Sequence, residues 1–153
     1  SSDLRLNQEL AEYATLAKRG AITSAEHTAA QALAKQRFKL ALLFQMTFPG
    51  APTVFYGDEV GVTGGDDPFN RGTYPWADLG GHPDTELLAE FKRLIALRNE
   101  HAVLRRGSLE APVFLDQHVI VLLRRLGDEV ALVATNNSPT VQRVTVTLPA
   151  ACS

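Results

Sequence analysis

The chain has 153 residues, 45% hydrophobic and 21% charged, which is enough apolar mass for one ordinary domain or one and a small part, and too little for two complete domains. Its 15 basic and 17 acidic side chains, net −2, form no long like-charge block, so no nucleic-acid partner is expected. No apolar run approaches the ~20 residues of a membrane span, Ser1 to Gly20 has no basic-then-apolar leader, and the single cysteine, Cys152, forms neither an internal disulfide nor a thiolate metal site.

Leu6, Leu10, Tyr13, Ala14 and Ala17 recur at helical spacing, with Asp3 as a cap and Gly20 as a stop, and predict an amphipathic helix. Thr23 and Glu26 have the Thr-x-x-Glu spacing of a capping box and open an alanine-rich helix that runs to about Phe48, where Pro49 and Gly50 stop it. Its end, LALLFQMTF, is nearly all apolar and predicts protein on every side. Pro52 to Tyr56 reads as a short buried strand, apolar without alternation as in a parallel sheet.

An acidic, glycine-rich loop then runs to about Pro83. Asp84 or Thr85 caps the next helix, with Leu87, Leu88, Phe91, Leu94, Ile95 and Ala102 on one stripe and Glu90, Lys92 and Arg93 outside. From Ser108 the period shortens to extended runs, HVIVLLRR, EVALVATNN and VQRVTVTLP, separated by Leu-Gly-Asp and Asn-Asn-Ser-Pro turns. These predict antiparallel strands, too few to close a sandwich.

The chemistry of the loop narrows by elimination. Asp58 and Glu59 are sequence neighbours whose side chains diverge on an extended chain, which makes a poor catalytic dyad. Asp66, Asp67 and Asn70 miss the spacing of an EF-hand, the glycines match no phosphate-binding motif, and no Gly-x-Ser-x-Gly elbow accompanies the scattered histidines. No cofactor and no metal are expected. Tyr74, Trp76 and Phe69 either stack on a sugar ring or pin their own loop. Within DPFNR, Asp67 and Arg71 are spaced to set a carboxylate beside a guanidinium, either as an ion pair that locks the loop or as a grip on the hydroxyls of one sugar ring.

FKLALLFQMTFPGAPTVFYGDEVGVTGGDDPFNRGTYPW resembles the last helix, strand and loop of the catalytic barrel in the α-amylase family, glycoside hydrolase family 13. It is most similar to the neopullulanases, cyclomaltodextrinases and amylopullulanases of that family. The likeness covers residues 37–110 well, 111–149 in general terms and 1–36 hardly at all. It rests on Pro-Gly-x-Pro, Tyr-Gly-Asp-Glu, Gly-Gly-x-Asp-Pro and Arg in order at family spacing.

The resemblance implies a mixed α and β fold: the last helix–strand–helix portion of a TIM (β/α)8 barrel over residues 1–106, followed by the start of an antiparallel β-sandwich over 107–153. Pro52 to Asp58 would be the eighth barrel strand, with the acidic loop at its carboxyl end, where barrel active sites are built. Asp67 and Arg71 match the family's substrate-binding pair, and Tyr56, Gly57, Asp58 and Glu59 match a signature of mainly structural role. The family's Asn-His-Asp motif and its catalytic carboxylates do not occur here, and a barrel needs ~250 residues. The implied function is therefore that of a carboxyl-terminal segment of a retaining glycoside hydrolase acting on α-glucans. It would bind an α-glucan oligosaccharide together with the remainder of the barrel, and be inactive alone. The alternatives are a non-enzymatic carbohydrate-binding or assembly module and a glycosyltransferring member of the same family.

Overall fold

The computed structural model describes Thr15, residues 24–64, Asp67 and residues 70–149. The helix expected over Leu6 to Ala17 lies outside the described residues except for Thr15, which is helical, and so does Thr23 of the expected capping box. The described elements are helix α1 (Ser24–Thr47), 3-10 turns at Asp58–Val60 and Ala77–Leu79, α2 (Thr85–Glu100), α3 (Ala102–Arg106), and strands β1 (Ser108–Leu109), β2 (Phe114–Leu115), β3 (Val119–Leu126) and β4 (Glu129–Asn136). The class is the expected mixed one, helices with an antiparallel sheet. No helix among the described residues is long and apolar enough to cross a membrane. The chain forms two compact units, 1–39 with 53–91, and 40–52 with 92–153.

In the first unit, Phe38 of α1 meets Phe91 of α2 with ring centroids 5.9 Å apart. Leu87 and Phe91 are buried, as the helical stripe requires. Of the two expected caps, Asp84 and Thr85, it is Asp84 that caps α2: its Oδ1 accepts the amide of Leu87 at 2.9 Å, satisfying one of the donors a helix start leaves open. Lys35 Nζ lies 2.8 Å from Asp84 and 2.7 Å from Glu86, and Lys39 lies 2.5 Å from Glu86. Both helices are tied at this point by charge outside the apolar contact.

In the second unit, β3 is the central strand. β4 pairs antiparallel along it from Val119↔Asn136 to Leu126↔Glu129. β1 pairs at Arg124 and Arg125 and β2 at Ile120 and Val121, so both lie on the edge of β3 opposite β4. The β3–β4 connection is Gly127-Asp128, with φ +58° at the glycine and no positive φ at any described non-glycine residue. That places glycine where a type II′ turn needs it. Val103 and Leu104 of α3, Leu122 of β3 and Val133 of β4 form the core, with Leu97, Ile120, Leu126 and Ala131 against it. Leu122 and Leu123 are neighbours and both buried, so β3 is covered on its two faces.

Three expectations are corrected. Pro52 to Tyr56 forms no ladder, and Val54, Phe55 and Tyr56 are exposed. A parallel strand exists only through hydrogen-bonded neighbours, and the described residues supply none for this run. The last run, VQRVTVTLP, also forms no ladder, and Val141 is 90% exposed. Alternating valines favour a sheet surface but do not create the edge on which to pair. The end of α1 buries Leu42 and Met46 and leaves Phe44 and Phe48 exposed, so among the described residues one side of it is covered.

Two arginines close the second unit. Pro49 and Gly50 end α1 and leave its last carbonyls without helical partners. Arg98 of α2 donates to the carbonyls of Met46 at 2.7 Å, Phe48 at 3.1 Å and Gly50 at 2.5 Å. Arg124 of β3 donates to those of Thr47, Leu104, Gly107 and Ser108. Arg124 is fully buried, and burial, then the nearby charge of Arg98, push its pKa below the usual guanidinium value.

Candidate functional site

The loop after Tyr56 is built on glycines that the geometry demands. Gly57 has φ +90°, and a Cβ there would stand 2.9 Å from the Val62 side chain. Its amide donates to Glu59 Oε2 at 2.9 Å, and its carbonyl accepts from Val60 and Val62. Glu59 is thus occupied with its own backbone, in keeping with a structural role for the Tyr-Gly-Asp-Glu run.

Val60 is buried, and its carbonyl accepts the amide of Asp84 at 3.0 Å. The loop start is therefore bonded to the cap of α2. Asp84 is itself held by Lys35: burial raises its pKa, but the Lys35 ammonium and the Leu87 amide outweigh this and lower it. Bonds from Lys35 and then Lys39 bring the Glu86 carboxyl from its ordinary 4.5 down to about 2.

The excursion that carries Asp67 and Arg71 closes on this base. Tyr56 donates its hydroxyl to the carbonyl of Gly72 at 3.1 Å, and Gly72 lies against Val62 with no more than ordinary van der Waals spacing for a Cβ. Both ends of the segment between Val62 and Gly72 are thereby pinned to the same place. The sequence-predicted pair is brought together: Arg71 Nε lies 3.1 Å from Asp67 Oδ1, with the side chains 71% and 64% exposed.

Exposure decides how that ion pair is read. A solvent-exposed pair contributes about 0–1 kcal/mol to stability, and the loop is already closed by the Tyr56–Gly72 bond and the packing of Val62. A guanidinium offers five N–H donors in a fixed fork, and a carboxylate accepts at two oxygens. Among the described residues, the contact between the two groups is the one from Nε to Oδ1, which uses a small part of that capacity. The pair presents neighbouring donors and acceptors to solvent, which is the chemistry that holds vicinal hydroxyl groups.

Next to the pair, the loop turns through Tyr74 and Trp76, whose rings are 4.5 Å apart at 42°. Among the described residues no three His, Cys, Asp or Glu side chains gather as metal ligands would. Sequence reasoning missed Arg98 and Arg124. The signal for Arg124 was a basic residue inside the apolar run HVIVLLRR, where an unpartnered charge cannot be buried.

No family model matches the chain. It is 39% identical over 129 residues to an amylopullulanase of Thermoanaerobacterium saccharolyticum, a match that covers 77% of this chain and 10% of the relative. It is 39% identical over 105 residues to a cyclomaltodextrinase of Geobacillus thermopakistaniensis, covering 67% of this chain and 17% of that one. Among solved structures, a cyclic α-maltosyl-(1→6)-maltose hydrolase from Arthrobacter globiformis superimposes with a TM-score of 0.59 at 35% identity, covering 72% of this chain and 24% of the other. The chain thus spans about a tenth to a quarter of the length of these proteins. By sequence and by fold it is a relative of the α-amylase family, glycoside hydrolase family 13, similar to amylopullulanases and cyclomaltodextrinases.

Proposed function

We propose that this chain supplies substrate-binding residues, but not the catalytic carboxylates, to a retaining glycoside hydrolase acting on α-glucans of the maltodextrin, pullulan or cyclodextrin type. Residues 1–106 would complete its barrel, and 107–153 would begin its carboxyl-terminal sheet domain. Asp67 and Arg71 are the residues in contact with saccharide. The observation that carries this reading is their juxtaposition, exposed to solvent, on a loop closed by Tyr56, Val62 and Gly72. The names of the similar proteins supply the substrate class.

In that enzyme two carboxyl groups ~5–5.5 Å apart, carried by other parts of the barrel, protonate the leaving oxygen and form the glycosyl intermediate. Asp67 and Arg71 contribute by fixing the hydroxyls of a glucosyl unit, so that binding along the chain orients the bond to be cut. The 153-residue chain alone would not hydrolyse maltodextrin, pullulan or cyclodextrin.

The test is steady-state kinetics of D67A and R71A in the full-length enzyme. Hydrogen bonds to a charged group contribute about 1.5–3 kcal/mol, so kcat/KM on oligosaccharides should fall roughly 10- to 100-fold. Unchanged kinetics on chains longer than a disaccharide would refute the assignment.

A further inference from the structure

We infer that Trp76, backed by Tyr74, forms a stacking platform for a further glucosyl unit of the same α-glucan. The inference rests on the binding role proposed for Asp67 and Arg71. It starts from a large apolar ring that the loop does not need for its own closure. The backbone closes this part of the loop: the carbonyl of Trp76 accepts from the amides of Leu79 at 3.1 Å and Gly81 at 2.9 Å, and its amide donates to the carbonyl of Tyr74 at 2.9 Å. Gly81 presses on the Pro75 backbone so closely that a Cβ would stand 2.4 Å from the Pro75 carbonyl carbon. The turn is therefore held by main-chain bonds and by a glycine contact, while the indole remains 57% exposed.

An exposed indole held in one place is preorganised for a flat, partly apolar partner. Tyr74 fixes its tilt with centroids 4.5 Å apart, so little rotamer freedom is left to lose on binding. A pyranose offers a face of C–H groups ringed by hydroxyls, which suits an aromatic ring that is apolar at its centre and wet at its edge. Arg71 and Trp76 belong to the same compact unit, and even a fully extended chain would place them no more than ~18 Å apart. One oligosaccharide can span both.

Trp76 is the single tryptophan of these 153 residues, and in the full-length enzyme the difference between wild type and W76F isolates its signal from that of the rest of the protein. In the full-length enzyme, kinetics of W76A and W76F on maltoheptaose are compared with wild type. Stopped-flow fluorescence before turnover is recorded as the difference between wild type and W76F. The expected result is a KM about tenfold higher for W76A with kcat within twofold, and at most threefold higher for W76F, which keeps an aromatic face. A saccharide-dependent signal should also be present in the wild-type-minus-W76F difference.

A KM for W76A within twofold of wild type, or no saccharide-dependent difference signal, overturns the inference. So does a lowered melting temperature with unchanged KM, because the ring would then serve only packing. D67A, run in parallel, separates the two readings. If D67A is silent while W76A raises KM and the signal persists, the ion pair fails and the platform stands. If D67A raises KM and W76A does not, the platform alone falls.

Discussion

Replacing Arg124 by methionine tests what holds the second unit together. The guanidinium is 0% exposed and donates to Ser108 O at 3.0 Å, Leu104 O at 3.2 Å, Gly107 O at 2.7 Å and Thr47 O at 2.5 Å. Methionine fills much of the volume and leaves these carbonyls without their donor. Each buried polar group left unsatisfied costs about 1–3 kcal/mol, but the four costs do not add in full. Removing the charge also removes its desolvation penalty and its repulsion with Arg98. A net loss of about 3 kcal/mol is expected, or roughly a 100-fold fall in the amide exchange protection of β3 and β4 measured by mass spectrometry on the full-length protein. Lysine at this position keeps a charge but has no planar fork, and should cost about tenfold. Protection in R124M within threefold of wild type would refute the claim that Arg124 fastens this unit.

Gly57→Ala should destabilise the loop by about 1–3 kcal/mol, since alanine at φ +90° is strained and its methyl would meet Val62 at 2.9 Å. Faster proteolysis between Val62 and Gly72 and a raised KM for oligosaccharides are the readouts, and wild-type values for both would count against the loop geometry. The Glu86 carboxyl has a folded pKa of about 2 against an ordinary 4.5. Its contribution to stability is therefore present above pH 4.5 and is lost as the pH falls through about 2. Because the group is exposed, the effect should be small and weaken with salt. Carboxyl NMR titration of the double variant K35M/K39M should return the Glu86 midpoint toward 4.5, and a midpoint that stays near 2 would show that the two lysines are not its cause.

How much of this was legible without coordinates differs from residue to residue. A cap at Asp84 or Thr85 and the burial of Leu87, Phe91 and Leu94 were readable because each depends on chain neighbours within one or two turns, whereas Ile95, read on the same stripe, is exposed and Ala102 belongs to α3. The Asp67–Arg71 contact was readable for the same reason, being a local pair on a loop with turn chemistry. Pro52 to Tyr56 and VQRVTVTLP, both read as strands, form no ladder among the described residues, because pairing is a property of two chain segments and sequence pattern describes only one. Arg98 and Arg124 escaped notice because each reaches carbonyls well beyond its own element: Met46 is 52 positions from Arg98, and Arg124 binds Thr47, 77 positions away, together with Leu104, Gly107 and Ser108, 16 to 20 positions away.

Local sequence by itself determined the two long helices, the cap between loop and α2, the glycine turn at 127 and the closeness of Asp67 to Arg71. Each follows from torsional preference and from spacing along one stretch of chain. Tertiary structure decided that Tyr56 returns to Gly72, that two buried guanidinium groups donate to the orphaned carbonyls at the end of α1, and that Trp76 stands exposed while its backbone closes the turn. Those outcomes depend on which distant groups arrive at a site and displace water from it, a condition that no single segment encodes.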